Sequence, residues 1–164
     1  MPVIFTDQQI AGLLHENKQL PGDYEKRIRL RDKRGHRERE LSVAGSLGHQ
    51  FRLVLRWSLF NHLDFSVILA VIPTGSNALF RLCRYNGKSH EHTNQLEQER
   101  FYDFHIHTAT ERYQQIGTAE DFFARPTNRY SDFHGALECM LNDCRFERPV
   151  GVTGSLLLWE DEES

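Results

Sequence analysis

Between Phe51 and Leu59 the chain alternates, with Phe51, Leu53, Leu55, Trp57 and Leu59 on one side and Arg52, Val54, Arg56 and Ser58 on the other. A period of two predicts a strand with one face in the core and one turned away from it. Phe65 to Ile72 is nearly continuously apolar and predicts a second central strand, antiparallel to the first across Asn61-His62-Leu63-Asp64. After the turn at Pro73-Thr74-Gly75-Ser76, Leu79 to Tyr85 predicts another. Earlier, Tyr24, Ile28 and Leu30 face one way and Arg27, Arg29 and Arg31 the other. That pattern predicts a β-hairpin over Tyr24 to Leu41, turning at Asp32-Lys33-Arg34-Gly35, with a return strand that includes Arg37 to Val43.

Two stretches carry helical spacing instead. Thr6-Asp7-Gln8-Gln9 reads as a capped start for a helix carrying Ile10, Leu13 and Leu14 and ending before Pro21-Gly22. Phe133, Leu137, Met140 and Leu141 predict a second long helix from about Ser131 to Cys144, packed on the apolar face of the sheet. Gly117 to Ala124 reads as a short helical turn, Val150 to Trp159 as a last strand, and residues 160–164 as an acidic tail left in water. The sum is an α+β fold, an antiparallel β-sheet with helices packed on one face, in a single domain over residues 1–164.

Charge changes this picture in one place. Residues 1–60 hold 11 Lys and Arg against 7 Asp and Glu, and residues 61–164 hold 9 against 16. The positive charge is densest from Lys26 to Arg39, a patch suited to phosphate or to an acidic partner. Arg29, Arg31 and Arg34 are the candidate substrate contacts in it. Three cysteines in 164 residues argue against a secreted disulfide framework and for a reducing, cytoplasmic setting. No apolar run reaches the roughly 20 residues of a membrane helix, and Met1 to Asp7 does not read as a signal peptide, so no membrane association is expected.

The candidate chemistry lies in Arg84 to Tyr113, which contains two His-x-His pairs, His90/His92 and His105/His107. In a strand such pairs share a face, about 6.6 Å apart. Tyr102, Phe104 and Ile106 alternate with Asp103, His105 and His107, which turns the second pair away from the core. Three readings of the histidines stay open. They can divide general base and general acid roles in RNA cleavage, with Arg84 or Arg112 as the cation on the phosphate. They can supply three ligands to a catalytic zinc, completed or oriented by Asp103 or Glu91. Or His90 and His92 can lie in an inert, solvated turn after Asn86-Gly87. Tyr85 and Tyr113 flank the stretch as candidates to stack on a base. No cysteine or helical His-x-x-x-His accompanies the histidines, so neither a stoichiometric metal nor another cofactor is expected.

Arg84-Tyr85-Asn86, His90-x-His92-x-Asn94 and Phe104-His105-Ile106-His107, followed by a helix ending near Cys144, resemble small prokaryotic families of the TumE-like toxin type. The resemblance covers roughly residues 79 to 145, and the amphipathic opening helix is also similar. The chain departs from the pattern in its longer connection between the pairs and in the stretch from Arg112 to Asn128. The resemblance implies the toxin of a toxin-antitoxin pair, with a cognate antitoxin as partner and ribonuclease activity as a common outcome. Joined to the histidine reading it gives a metal-independent endoribonuclease. His105 and His107 are then the preferred acid/base pair, His90 and His92 their partners, and Arg84 and Arg112 the phosphate contacts. The alternatives are a non-enzymatic RNA- or protein-binding module that uses the basic hairpin 26–39, and a His-ligated metal-dependent hydrolase.

Overall fold

The computed structural model describes residues 4–149. In chain order the elements are α1 (Asp7–His15), β1 (Lys18–Gln19), α2 (Tyr24–Arg27), β2 (Arg31–Lys33), β3 (His36–Ala44), β4 (Gln50–Ser58) and β5 (Phe65–Ile72). They continue with β6 (Phe80–Asn86), β7 (His92–Asn94), β8 (Glu99–Phe101), β9 (His105–Thr108), α3 (Glu111–Gln115), β10 (Ala124–Pro126), α4 (Phe133–Asp143) and β11 (Phe146–Glu147). Seven strands form one sheet in the order β10-β9-β6-β5-β4-β3-β2, and every neighbouring pair in it is antiparallel. The expected strands 51–59, 65–72 and 79–85 are β4, β5 and β6 to within a residue or two.

The register sorts the side chains. Leu41, Leu53 and Leu69 stand opposite one another across β3, β4 and β5, as do Leu55, Val67, Tyr85 and Ile106 across β4, β5, β6 and β9. This apolar face is covered by α4 on β5 and β6 and by α1 on β6, with Ile10, Leu13, Phe133, Leu137 and Met140 joining the core cluster. The fold is therefore α+β with an antiparallel sheet and helices on one face. Among the described residues no helix is long and apolar enough to cross a membrane.

Thr6 opens α1 with a full capping box. Its hydroxyl accepts from the Gln9 amide at 3.1 Å and its own amide donates to Gln9 Oε1 at 2.9 Å. Such a cap contributes about 1 kcal/mol. The helix stops at His15, six residues short of Pro21, because Lys18 folds back beneath it. The Lys18 ammonium is fully buried and donates to the carbonyls of Leu13, Leu14, Glu16 and Cys144 at 2.7–3.1 Å, closing the ends of both α1 and α4.

Three expectations are corrected. Tyr24 and Ile28 are four residues apart, a spacing that serves a helix face as well as a strand. They are buried around the short α2, and the hairpin begins only at Arg31. The helical turn expected over Gly117 to Ala124 falls earlier, in α3 behind the Thr110 cap; residues 117–123 are turns and irregular chain, and Ala124 opens the edge strand β10, which ends at Pro126, the position where a missing N–H costs least. His105 and His107 lie on the face opposite the helices, yet they are buried, because the β7–β8 hairpin folds over them. The strand over Val150 to Trp159 and the acidic tail lie outside the described residues.

Candidate active site

On the face without helices, two rows of side chains cross the sheet. One runs Glu38, Arg56, Ser66, Asn86 and His105, the other Glu40, Val54, Ile68, Arg84 and His107. The period of two in β9 puts both histidines on this face, and β7 brings His92 down on them. Ring centres are 4.9 Å apart for His92 and His107, 4.9 Å for His105 and His107, and 5.6 Å for His92 and His105. His90 stands just before β7, exposed to solvent, its ring 6.1 Å from that of His105. Phe101 and Phe122 wall the cluster at 5.3–5.6 Å from its rings. The expected two pairs are thus one group of four imidazoles.

Hydrogen-bond partners assign the proton on each buried ring. His105 Nδ1 donates to the Asp103 carbonyl at 2.7 Å, and His107 Nδ1 donates to the Asp121 carbonyl at 2.8 Å, which leaves both Nε2 atoms as acceptors. His92 Nε2 donates to Asn94 Oδ1 at 2.9 Å. The Asn94 amide cannot be reversed, because Oδ1 also accepts from the Ala124 amide while Nδ2 donates to the Ala124 carbonyl. Asn86 is oriented by His105: the unprotonated Nε2 can only accept, so Nδ2 faces it at 3.5 Å and Oδ1 accepts from the Ser66 hydroxyl at 2.8 Å.

These rings are held neutral. Burial is the main cause in each case: it brings His105 down to about 4 and His107 to about 2, and it also lowers His92. The Arg84 guanidinium lowers all three further, and the bonds to Asp103 and Asp121 oppose the shift at His105 and His107.

Arg84 has a counter-ion that no sequence motif indicated. Asp121, between α3 and β10, is fully buried, with its carboxylate 3.2 Å from Arg84 and 3.5 Å from Arg81. Neither carboxylate oxygen has a hydrogen-bond partner of good geometry, and burial raises its pKa against the pull of the two arginines. Residues three apart in a regular strand point to opposite faces. A register shift at Leu69/Ala70 puts Arg81 opposite Ala70 and Arg84 opposite Ile68, so both arginines share the open face.

The remaining candidates lie elsewhere. Arg112, on α3, pairs with Glu97 at 2.6 Å and lines a cavity of about 490 Å³ on the helix side, away from the histidines. Tyr113 is fully buried, its hydroxyl donating to Glu97 Oε1 at 2.5 Å, and Tyr85 is buried on the helix side, donating to Asp143 at 2.5 Å. Neither tyrosine presents a ring for stacking. Arg31 and Arg34 are exposed and Arg29 half-buried, at the β2 edge, four strands from β6 and five from β9. Among the described residues, no group of three or more His, Cys, Asp or Glu side chains is arranged to hold a metal ion.

Asn86, Asn94, Arg81 and Asp121 complete the site. Asn86 and Asn94 keep step with the histidines in period two, a signal present in the sequence, whereas nothing in the loop around Asp121 marks it. Comparison with protein-family models, with curated proteins and with solved structures finds no match for this chain.

Proposed function

We propose that this protein is a metal-independent endoribonuclease, the toxin of a toxin-antitoxin pair, acting in the cytoplasm on the open face of its sheet. The observation that carries the reading is the juxtaposition of a buried neutral imidazole, His105, with an exposed one, His90, 6.1 Å between ring centres. Two imidazoles in unlike surroundings are what a base and an acid need if they are to work together near neutral pH. His105 Nε2, unprotonated, takes the proton of a ribose 2′-hydroxyl. The 2′-oxygen attacks phosphorus and forms a 2′,3′-cyclic phosphate. The 5′-oxygen leaves with a proton from His90. Arg84 lies beside the rings to offset charge on the phosphate oxygens, held in place by Asp121. His92 and His107 wedge the base and fix its plane.

His105 is wholly buried beneath β7 and β8, so RNA reaches Nε2 when that hairpin lifts. A two-stranded ribbon is marginally stable by itself and suits such a movement. The reading is tested with His90→Ala, whose site is exposed and leaves the fold intact. Cleavage of RNA should fall by about 10²- to 10⁴-fold with the melting temperature unchanged.

One observation favours a second reading. His105 and His107 are 0% and 5% exposed, which suits rings that serve only to pack the β7–β8 hairpin onto the sheet. The protein is then a non-enzymatic RNA- or protein-binding module acting through its basic hairpin. Under that reading His90→Ala changes nothing, and loss of Arg31 and Arg34 abolishes binding.

A further inference from the structure

Phe60 is 86% exposed, in the loop between β4 and β5. It is not isolated. The Leu59 amide donates to the Gly35 carbonyl at 3.2 Å, and a Cβ on Gly35 would stand 3.5 Å from the Phe60 ring, so the aromatic lies against the tip of the β2–β3 hairpin. That tip carries Arg34, and neither Arg31 nor Arg34 forms an ion pair among the described residues, whereas Lys33 and Arg37 are paired with Glu38 and Asp32. Arg39, close by, feels Arg31 as a like charge. Positive charge is therefore left uncompensated beside an exposed ring.

The same end of the sheet continues to the histidines. Lys88 donates its amide to the Leu63 carbonyl at 2.8 Å, tying the Phe60 loop to the segment that carries His90. A Cβ on Gly87 would fall 1.9 Å from that same carbonyl, so the two loops touch backbone to backbone and only glycine fits. Lys88 in turn lies over the ring of Tyr102, 5.8 Å from its centre, and Tyr102 is 51% exposed. At this end of the sheet Arg56 is exposed, opposite Glu38, in the row that leads through Ser66 and Asn86 to His105, three strand spacings or about 14 Å away.

We propose that this end of the sheet is a lane for single-stranded RNA, with Phe60 and Tyr102 as platforms for unpaired bases and Arg34 and Arg56 as phosphate contacts. The alternation of a lone exposed ring with a cation is the chemistry of single-strand binding, in which stacking tolerates any base and basic groups follow the backbone. A duplex would offer no free base faces to the rings. The lane rests on the ribonuclease reading in naming the substrate of that site, but its binding is measured apart from cleavage.

The experiment uses the full chain carrying His90→Ala and a short fluorescein-labelled oligo(U), read by anisotropy. Phe60→Ala and Tyr102→Ala should each weaken binding about 5- to 150-fold, the range that base stacking carries. Arg34→Ala with Arg56→Ala should lower the slope of log affinity against log salt by about 1.4, two single-strand phosphate contacts. Duplex RNA of equal length should bind more weakly than oligo(U). Equal or tighter binding of the duplex, or undiminished oligo(U) binding by a folded Phe60→Ala, Tyr102→Ala double variant, overturns the lane. If oligo(U) binding depends on Phe60 but the parent chain cleaves no RNA, the lane stands and the nuclease reading falls. If Phe60→Ala in the parent chain cleaves with unchanged KM, the lane falls and the nuclease reading stands.

Discussion

His107 donates its Nδ1 proton to the main-chain carbonyl of Asp121 at 2.8 Å, and the carboxylate of that same Asp121 lies 3.2 Å from Arg84. One residue thus fixes the tautomer of an imidazole through its backbone and the place of a guanidinium through its side chain. Asp121→Asn should keep the first and lose the second. Arg84 is then left without its counter-ion, at a cost of about 1–3 kcal/mol, below the full penalty for a buried pair because its side chain is 26% exposed. Urea unfolding of Asp121→Asn and of Arg84→Met, alone and combined, measures the coupling; strict additivity of the two would show that the pair is not formed.

The buried rings also set a pH dependence. His105 and His107 have folded-state values near 4 and 2, below the roughly 6.5 of an unfolded histidine, so the unfolded chain takes up protons that the native fold refuses. Stability is full above about pH 6.5 and falls as pH drops, by about 1.4 kcal/mol per unit for each ring, down to the folded values. Asp121, with its raised pKa, acts in the opposite sense at the acid end of the window. The melting temperature should therefore decline from about pH 6.5 to 4.5, before most carboxylates titrate, and His107→Asn should flatten the decline. A flat wild-type profile would contradict the burial of these rings as neutral groups.

Much of the fold was legible from periodicity alone. β4 and α4 carry unambiguous periods of two and 3.6, and β5 an apolar run bounded by turns, so their bounds and buried faces follow from the residues. Tyr24 and Ile28 misled because one spacing fits two structures, and burial chose the helix. At the site, period two placed His105 and His107 together but could not show that β7 would cover them, since that depends on a hairpin turn at Gln95 to Gln98 with Gln98 at φ 56°. Arg112 and Tyr113 do not reach the imidazoles, because α3 carries them past the sheet edge, where both bond to Glu97 in the β7–β8 turn and Phe122 stands between Tyr113 and His92. Arg81 was hidden by the β-bulge and Asp121 by a loop without a pattern, both being products of tertiary packing.

Lys18 gives a test of the scaffold that holds these elements. Its ammonium has four carbonyl acceptors, and burial lowers its pKa without a carboxylate against it at salt-bridge distance. Lys18→Met keeps the stem and strands the carbonyls at the ends of α1 and α4. Denaturant unfolding should show a loss of at least about 3 kcal/mol. A loss under about 1 kcal/mol would mean that water replaces the ammonium and that the buried cation is not a structural tie.

Metal content separates the acid/base reading from a zinc hydrolase built on the same imidazoles. Protein purified without a histidine tag should carry well under one equivalent of zinc, and a chelator should leave RNA cleavage unchanged. One equivalent of zinc that disappears in His105→Ala would make a bound water the nucleophile instead.

The most direct test is the rate of RNA cleavage by His90→Ala and His105→Gln beside the parent chain, with melting temperatures recorded for all three. His105→Gln keeps a polar side chain in the buried position, and His90→Ala alters only an exposed one. Loss of about 10²-fold or more in both, with His90→Ala as stable as the parent, is the predicted result. Cleavage at the parent's rate in both variants, or no cleavage by the parent itself, would contradict the assignment of His105 as base and His90 as acid.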